Sequence, residues 1–168
     1  MEEPNVPLHI RAVIDTSSLV SARLRRDLQQ ATQIGAFTAI WSPWIVAELN
    51  RVLVWRWIKG PPPGRAANDL SDANERRCAQ AAKIMMEWLI PCFETVNPRP
   101  PYPVAWARLT DQWDHPIWAA AKISGAQYVV SENKHDYPPA QADRRHVFEG
   151  IEYLSGKAFL ALLTGGAE

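Results

Sequence analysis

No stretch of the chain approaches the roughly 18 consecutive apolar residues that a membrane span needs, so no membrane role is expected. The opening Met1-Glu2-Glu3-Pro4-Asn5 is acidic and has no apolar run behind it, so a secretory signal is not expected either. Cysteine is scarce: Cys78 and Cys92 stand alone, without metal-type spacing, which fits reduced, packed thiols in a cytoplasm and excludes a disulfide framework. Neither sign of charge prevails, since 18 basic residues face 18 acidic ones. A neutral chain has no global attraction for a polyanion, so any nucleic-acid binding must come from a local patch. Internal repeats are lacking too.

What is present is the length of one α/β domain, 168 residues, with 47% hydrophobic and 21% charged residues. That is enough to bury a core without covalent staples and too apolar for disorder. Ala12-Val13-Ile14 predicts a short buried strand ending at Asp15. One helix is expected next, capped within Asp15-Thr16-Ser17-Ser18, carrying Leu19, Val20, Leu24, Leu28 and Ala31 inward and stopping at Gly35. Phe37 to Trp41 predicts a second strand, and Ser42-Pro43 supplies an N-cap with proline at the first helical position. The helix that follows puts Ile45, Val46, Leu49, Val52 and Leu53 on one face.

Lys59-Gly60-Pro61-Pro62-Pro63-Gly64 opens a Pro/Gly-rich loop near residues 59–68. A long helix from Asp72 to Leu89 is predicted, with Ala79, Ala82, Ile84, Met85, Met86 and Leu89 as its apolar residues, then a strand from Phe93 to Val96. Pro98 to Pro103 makes another connection. A helix from Pro116 to Ser124, a strand at Tyr128-Val129-Val130, a last strand near Ile151 to Leu154 and a helix to about Leu163 complete the chain. Strands alternating with helices predict one α/β domain with a central parallel sheet flanked by helices.

Ligands of such sheets gather beyond the carboxyl ends of the strands. Asp15 follows the first strand directly, and Asn133 and Asp136 lie just past the strand that ends at Val130. Asp114 opens the helix leading into that strand, and Glu48 sits in the second turn of the helix after strand two. Taken singly, each has a plainer reading: a cap or Asx-turn for Asp15, a solvated helix residue for Glu48, an N-cap for Asp114, a turn residue for Asp136. Together they predict clustered carboxylates, whose mutual repulsion a divalent cation relieves. Hard oxygen ligands suit Mg²⁺ or Mn²⁺, and an ion so held activates water and neutralises charge on a phosphodiester.

With these residues in hand, the chain resembles the PIN domain family over about residues 10 to 163. Ala12-Val13-Ile14-Asp15-Thr16-Ser17-Ser18-Leu19-Val20 resembles the family's opening strand and metal-binding Asp. Ser42-Pro43 through Ala47-Glu48-Leu49-Asn50-Arg51-Val52-Leu53 resembles its second element, and Asp114-His115-Pro116-Ile117-Trp118-Ala119-Ala120-Ala121 its third. Gly125 to Ser131 and Gly150 to Ser155 are similar to the strands that follow. Where many relatives carry Asp after the fourth element, this chain has Asn133, with Asp136 three residues on, a pattern shared by a subgroup.

The resemblance implies a PIN-like three-layer fold and a metal-dependent ribonuclease, with Mg²⁺ or Mn²⁺ as cofactor and RNA as substrate. It implies Asp15, Glu48 and Asp114 as catalytic metal ligands, with the fourth place open between Asn133, as a catalytic residue without charge, and Asp136, as a metal ligand that restores the missing charge. It further implies the toxin of a toxin–antitoxin pair, with a homodimer and a protein antitoxin as partners. A degenerate module that binds without cleaving is the alternative, supported by Asn133 and the neutral charge. Trp41, Trp44, Trp55, Trp57 and Trp88 are expected in core and dimer packing before base stacking. Arg51, Arg56, Lys59 and Arg65 are as well explained by a solvated helix face as by phosphate contacts. Asp111 is expected at the surface, and His115 and His135 receive no role.

Overall fold

The computed structural model describes residues 9–59, 71–99 and 115–165, with the backbone alone for Lys59 and His115. Six strands form one sheet: β1 Arg11–Ile14, β2 Thr38–Trp41, β3 Phe93–Thr95, β4 Tyr128–Val130, β5 Val147–Phe148 and β6 Ile151–Leu154. Their order across the sheet is β3-β2-β1-β4-β6-β5. All neighbouring pairs run parallel except β5 against β6. The helices are α1 Thr16–Val20, α2 Ala22–Gln33, α3 Pro43–Lys59, α4 Asp72–Leu89, α5 His115–Ser124 and α6 Gly156–Leu163.

The central strands bury consecutive residues, Ala12, Val13 and Ile14 in β1 and Ala39, Ile40 and Trp41 in β2. Continuous burial means side chains on both faces are covered, as helices on either side of a parallel sheet require. Trp41 lies in this core, stacked on Phe93 at 4.4 Å between ring centroids, with its indole N–H donated to Thr95 Oγ1. Ile45, Leu49 and Leu53 bring one face of α3 onto the core, and Ser42 Oγ caps that helix by accepting the Ile45 N–H. The Pro/Gly-rich loop expected after Lys59 and the Pro98 to Pro103 connection beyond Arg99 lie outside the described residues.

Several expectations are corrected. The predicted first helix is two, because Ser21 turns to an extended backbone, φ −70° and ψ 120°, ending α1 and capping α2. Arg25 then donates to the freed carbonyls of Leu19 and Val20, which relieves the break. Half-buried for that purpose, its guanidinium pKa is lowered, first by desolvation and then by Arg26. Gly35 stands one residue past the α2 cap at φ 74°, as its predicted role requires. In α4 the inward face is Cys78, Ala82, Met86 and Leu89, a helical repeat, whereas Ala79 and Ile84 are exposed. The sheet also has an antiparallel rim, absent from the sequence reading. Glu149 and Gly150, at φ 48° and 79°, form the two-residue turn between β5 and β6, the mirror-type geometry that hairpins prefer.

Candidate active site at the switch point of the sheet

From β1 the chain moves outward to β2 and β3, then returns to place β4 on the other side of β1. Such a reversal opens a crevice at the carboxyl ends of the two central strands, here β1 and β4. Asp15 and Ser131, the residues that follow these strands, stand on either side of it. The Asp15 N–H donates to Val130 O at 2.9 Å, and Ser18 Oγ donates to the same carbonyl, which clamps the start of α1 to the end of β4.

Asp15 as a residue is 7% exposed. It caps α1 by accepting the Ser17 N–H, so the helix-cap reading is correct as far as it goes. Its Oδ2 also accepts from Ser17 Oγ at 2.6 Å and from Ser131 Oγ at 2.9 Å. Glu48, half-buried on α3, accepts on Oε2 from Thr16 Oγ1 at 2.8 Å, so it is more than a solvated helix residue. Glu48 is thus bonded to the residue next to Asp15.

Beyond β4, Lys134 to Asp136 form a single 3-10 turn. Asn133 Nδ2 donates to Asp136 Oδ2, which joins the two residues whose roles the sequence left open. Asp136 lines a small cleft with Asp15, Ser131, Ile117, Val129 and Tyr153. Tyr137 donates its hydroxyl to Ser131 O. Burial, followed by the charges of Glu132 and Asp15, pushes its phenol up to about 12. Glu132 accepts on Oε1 from the Gly156 N–H at 2.6 Å, linking this loop to the start of α6.

Asp114, Asp111 and the His115 side chain lie outside the described residues, and His135 is exposed. Among the described residues, no three His, Cys, Asp or Glu side chains gather closely enough to hold an ion by themselves. The donors present nevertheless fit a hard cation: they are oxygens, and among the described residues no donor reaches Asp15 Oδ1 or Glu48 Oε1. Ser131, Glu132 and Tyr137 were not singled out by sequence. Thr16 and Ser17 were read only as cap oxygens, although a hydroxyl beside an acidic residue at a strand end was the available signal.

Residues 11–135 match the family model of the PIN domain. The chain belongs to the PIN domain family. The match begins with β1 and ends in the turn after β4, so it includes Asp15, Glu48, Asp114 and Asn133 and stops one residue short of Asp136. PIN domains are usually nucleases, and the crevice of this PIN domain is where a ligand of the sheet would lie. Among curated proteins no relative matches the chain. No helix among the described residues is long and apolar enough to cross a membrane.

Proposed function

We propose that this PIN domain is a metal-dependent ribonuclease that hydrolyses RNA phosphodiester bonds. The observation that carries the reading is the nearly buried Asp15 carboxylate at the switch point, one oxygen held by serine hydroxyls and the other without a donor among the described residues. Asp15, Glu48 and Asp114 hold the cation, Mg²⁺ or Mn²⁺, and Asn133 or Asp136 completes the site. When bound there, the ion supplies charge neutralisation at the scissile phosphate and a water of lowered pKa. The chain's own contribution is to hold one oxygen of Asp15 and one of Glu48 by hydroxyl donors, leaving the other oxygen of each for a cation. Asn133 orients Asp136 through its amide N–H. No protein nucleophile is required.

The setting we propose is the toxin of a toxin–antitoxin pair in a cytoplasm, acting as a homodimer that a protein antitoxin restrains.

The test is RNA cleavage in Mn²⁺ by Asp15→Asn and Asp114→Asn variants, with circular dichroism to show retained folding. Each substitution keeps shape and deletes one charge. Cleavage is expected to fall about 100-fold or more, the scale of losing one group that stabilises developing charge. Parent-like cleavage by either variant removes that residue from the site. A parent that is inert in Mn²⁺ returns the chain to the non-cleaving alternative.

A further inference from the structure

Three hydroxyls, on Thr16, Ser17 and Ser131, touch the two carboxylates and take no part in the chemistry proposed above. A hydroxyl has one proton to donate and lone pairs with which to accept. Ser17 Oγ accepts the Glu132 N–H at 2.9 Å, and Ser131 Oγ accepts the Asn133 N–H at 3.1 Å. With backbone donors on their accepting sides, both serines have protons to give, and both reach the same atom, Asp15 Oδ2, at distances shorter than the 3.1 Å between their own Oγ atoms. The Ser17 N–H adds a longer contact to it at 3.4 Å. Thr16 Oγ1 engages Glu48 on Oε2 alone at 2.8 Å, the Ile45 carbonyl being a longer second acceptor at 3.5 Å. The two oxygens of each carboxylate are therefore inequivalent.

A helix cap does not explain this arrangement. Capping the five-residue α1 needs only the backbone N–H of Ser17, which Asp15 already accepts. Ser131 lies at the end of another strand and adds nothing to that cap. Its backbone is instead fixed from two sides, by the Ser131 N–H on Leu154 O and the Tyr137 hydroxyl on Ser131 O. The loop after β4 thus sets the direction from which its side chain meets Asp15.

We propose that Thr16, Ser17 and Ser131 are positioning residues that commit Asp15 Oδ2 and Glu48 Oε2 to the protein and present Oδ1 and Oε1 to a divalent cation. The proposal rests on the metal-dependent reading of the site. Its physical basis is preorganisation: a carboxylate already fixed by hydroxyl donors loses less rotational freedom when its other oxygen coordinates an ion. Groups that orient metal ligands in this way typically contribute about 10- to 100-fold in metal affinity.

Isothermal titration of the full chain with Mn²⁺ tests this without any measurement of cleavage. Ser131→Ala is expected to bind at least about 10-fold more weakly than the parent, with Ser131→Thr restoring affinity because the hydroxyl returns. Ser17→Ala, which removes the other donor and leaves β4 untouched, carries the same expectation should Ser131→Ala fail to fold. Melting of each metal-free variant shows that it is folded. If the serine-to-alanine variants bind like the parent while Asp15→Asn loses binding, positioning is overturned and the metal site stands. A Ser131→Thr variant as weak as Ser131→Ala also overturns it, since the hydroxyl would then not be what matters. If Asp15→Asn binds like the parent, or the parent does not bind, the reading of the site fails and the proposal with it.

Discussion

At Asn133 an amide stands beside a carboxylate, donating its N–H to Asp136 Oδ2. Replacing that donor by a second carboxylate puts two like charges in contact. Asn133→Asp is therefore expected to melt below the parent without metal and to gain more than the parent on adding Mn²⁺, because a cation then relieves the added repulsion. Thermal melts with and without millimolar Mn²⁺ check this, and equal shifts in both proteins would remove position 133 from the metal's surroundings. The sequence alone offered Asn133 or Asp136 as competitors for one role, whereas in the fold they are partners. What it could not reveal is the 3-10 turn that folds three residues back on themselves. Asp15 and Glu48 were legible because strand ends and helix turns have fixed periods. Ser131 and Tyr137 were not, since their significance comes from long-range contacts, with Asp15 across the strand boundary and with the charges gathered there.

Among the elements, the helices α3 and α4 could be read nearly to the residue, since proline and serine starts and a 3.6-residue repeat are local signals. The break between α1 and α2 was hidden, because Leu19, Val20, Leu24 and Leu28 continue to look like one helical stripe through Ser21. Only side-chain contacts, the long-range clamp of Ser18 on Val130 and the local reach of Arg25 to Leu19 and Val20, reveal why the chain turns there. If the Ser21 side chain is what starts α2, Ser21→Ala should lower unfolding stability by about 1 kcal/mol, the usual effect of losing an N-cap. Urea denaturation of the two proteins measures it. An unchanged midpoint would show that Arg25 alone accounts for the turn. The short β5 escaped for another reason: two residues are too few to establish a period, and its evidence is the positive φ at Glu149 and Gly150.

On the scale of the whole molecule, cation binding to the folded state alone must raise stability by mass action. At a free Mn²⁺ concentration about a hundredfold above Kd the gain is about 2.7 kcal/mol, visible as a rise in melting temperature. A melting temperature unmoved by millimolar Mn²⁺ would count against a working site. Alkali should act in the opposite direction. Tyr137 has its phenol raised from 10.0 to about 12 by burial and by Glu132 and Asp15, so the native state holds a proton that the unfolded chain releases first. The associated stability is fully present below pH 10 and is lost as pH climbs toward 12. Tyr137→Phe should flatten that decline in denaturation curves across this range, and an equally steep fall in the variant would assign it to other groups. The rims of the sheet have a consequence of a different kind. β3 offers three residues and β5 two, and Glu94 in β3 is tied to Arg11 at 2.8 Å. Short borders with a charge on one of them give a second molecule little backbone on which to add a strand. A concentrated solution of this protein should therefore resist growth of intermolecular β-structure, even though its central strands are almost wholly apolar.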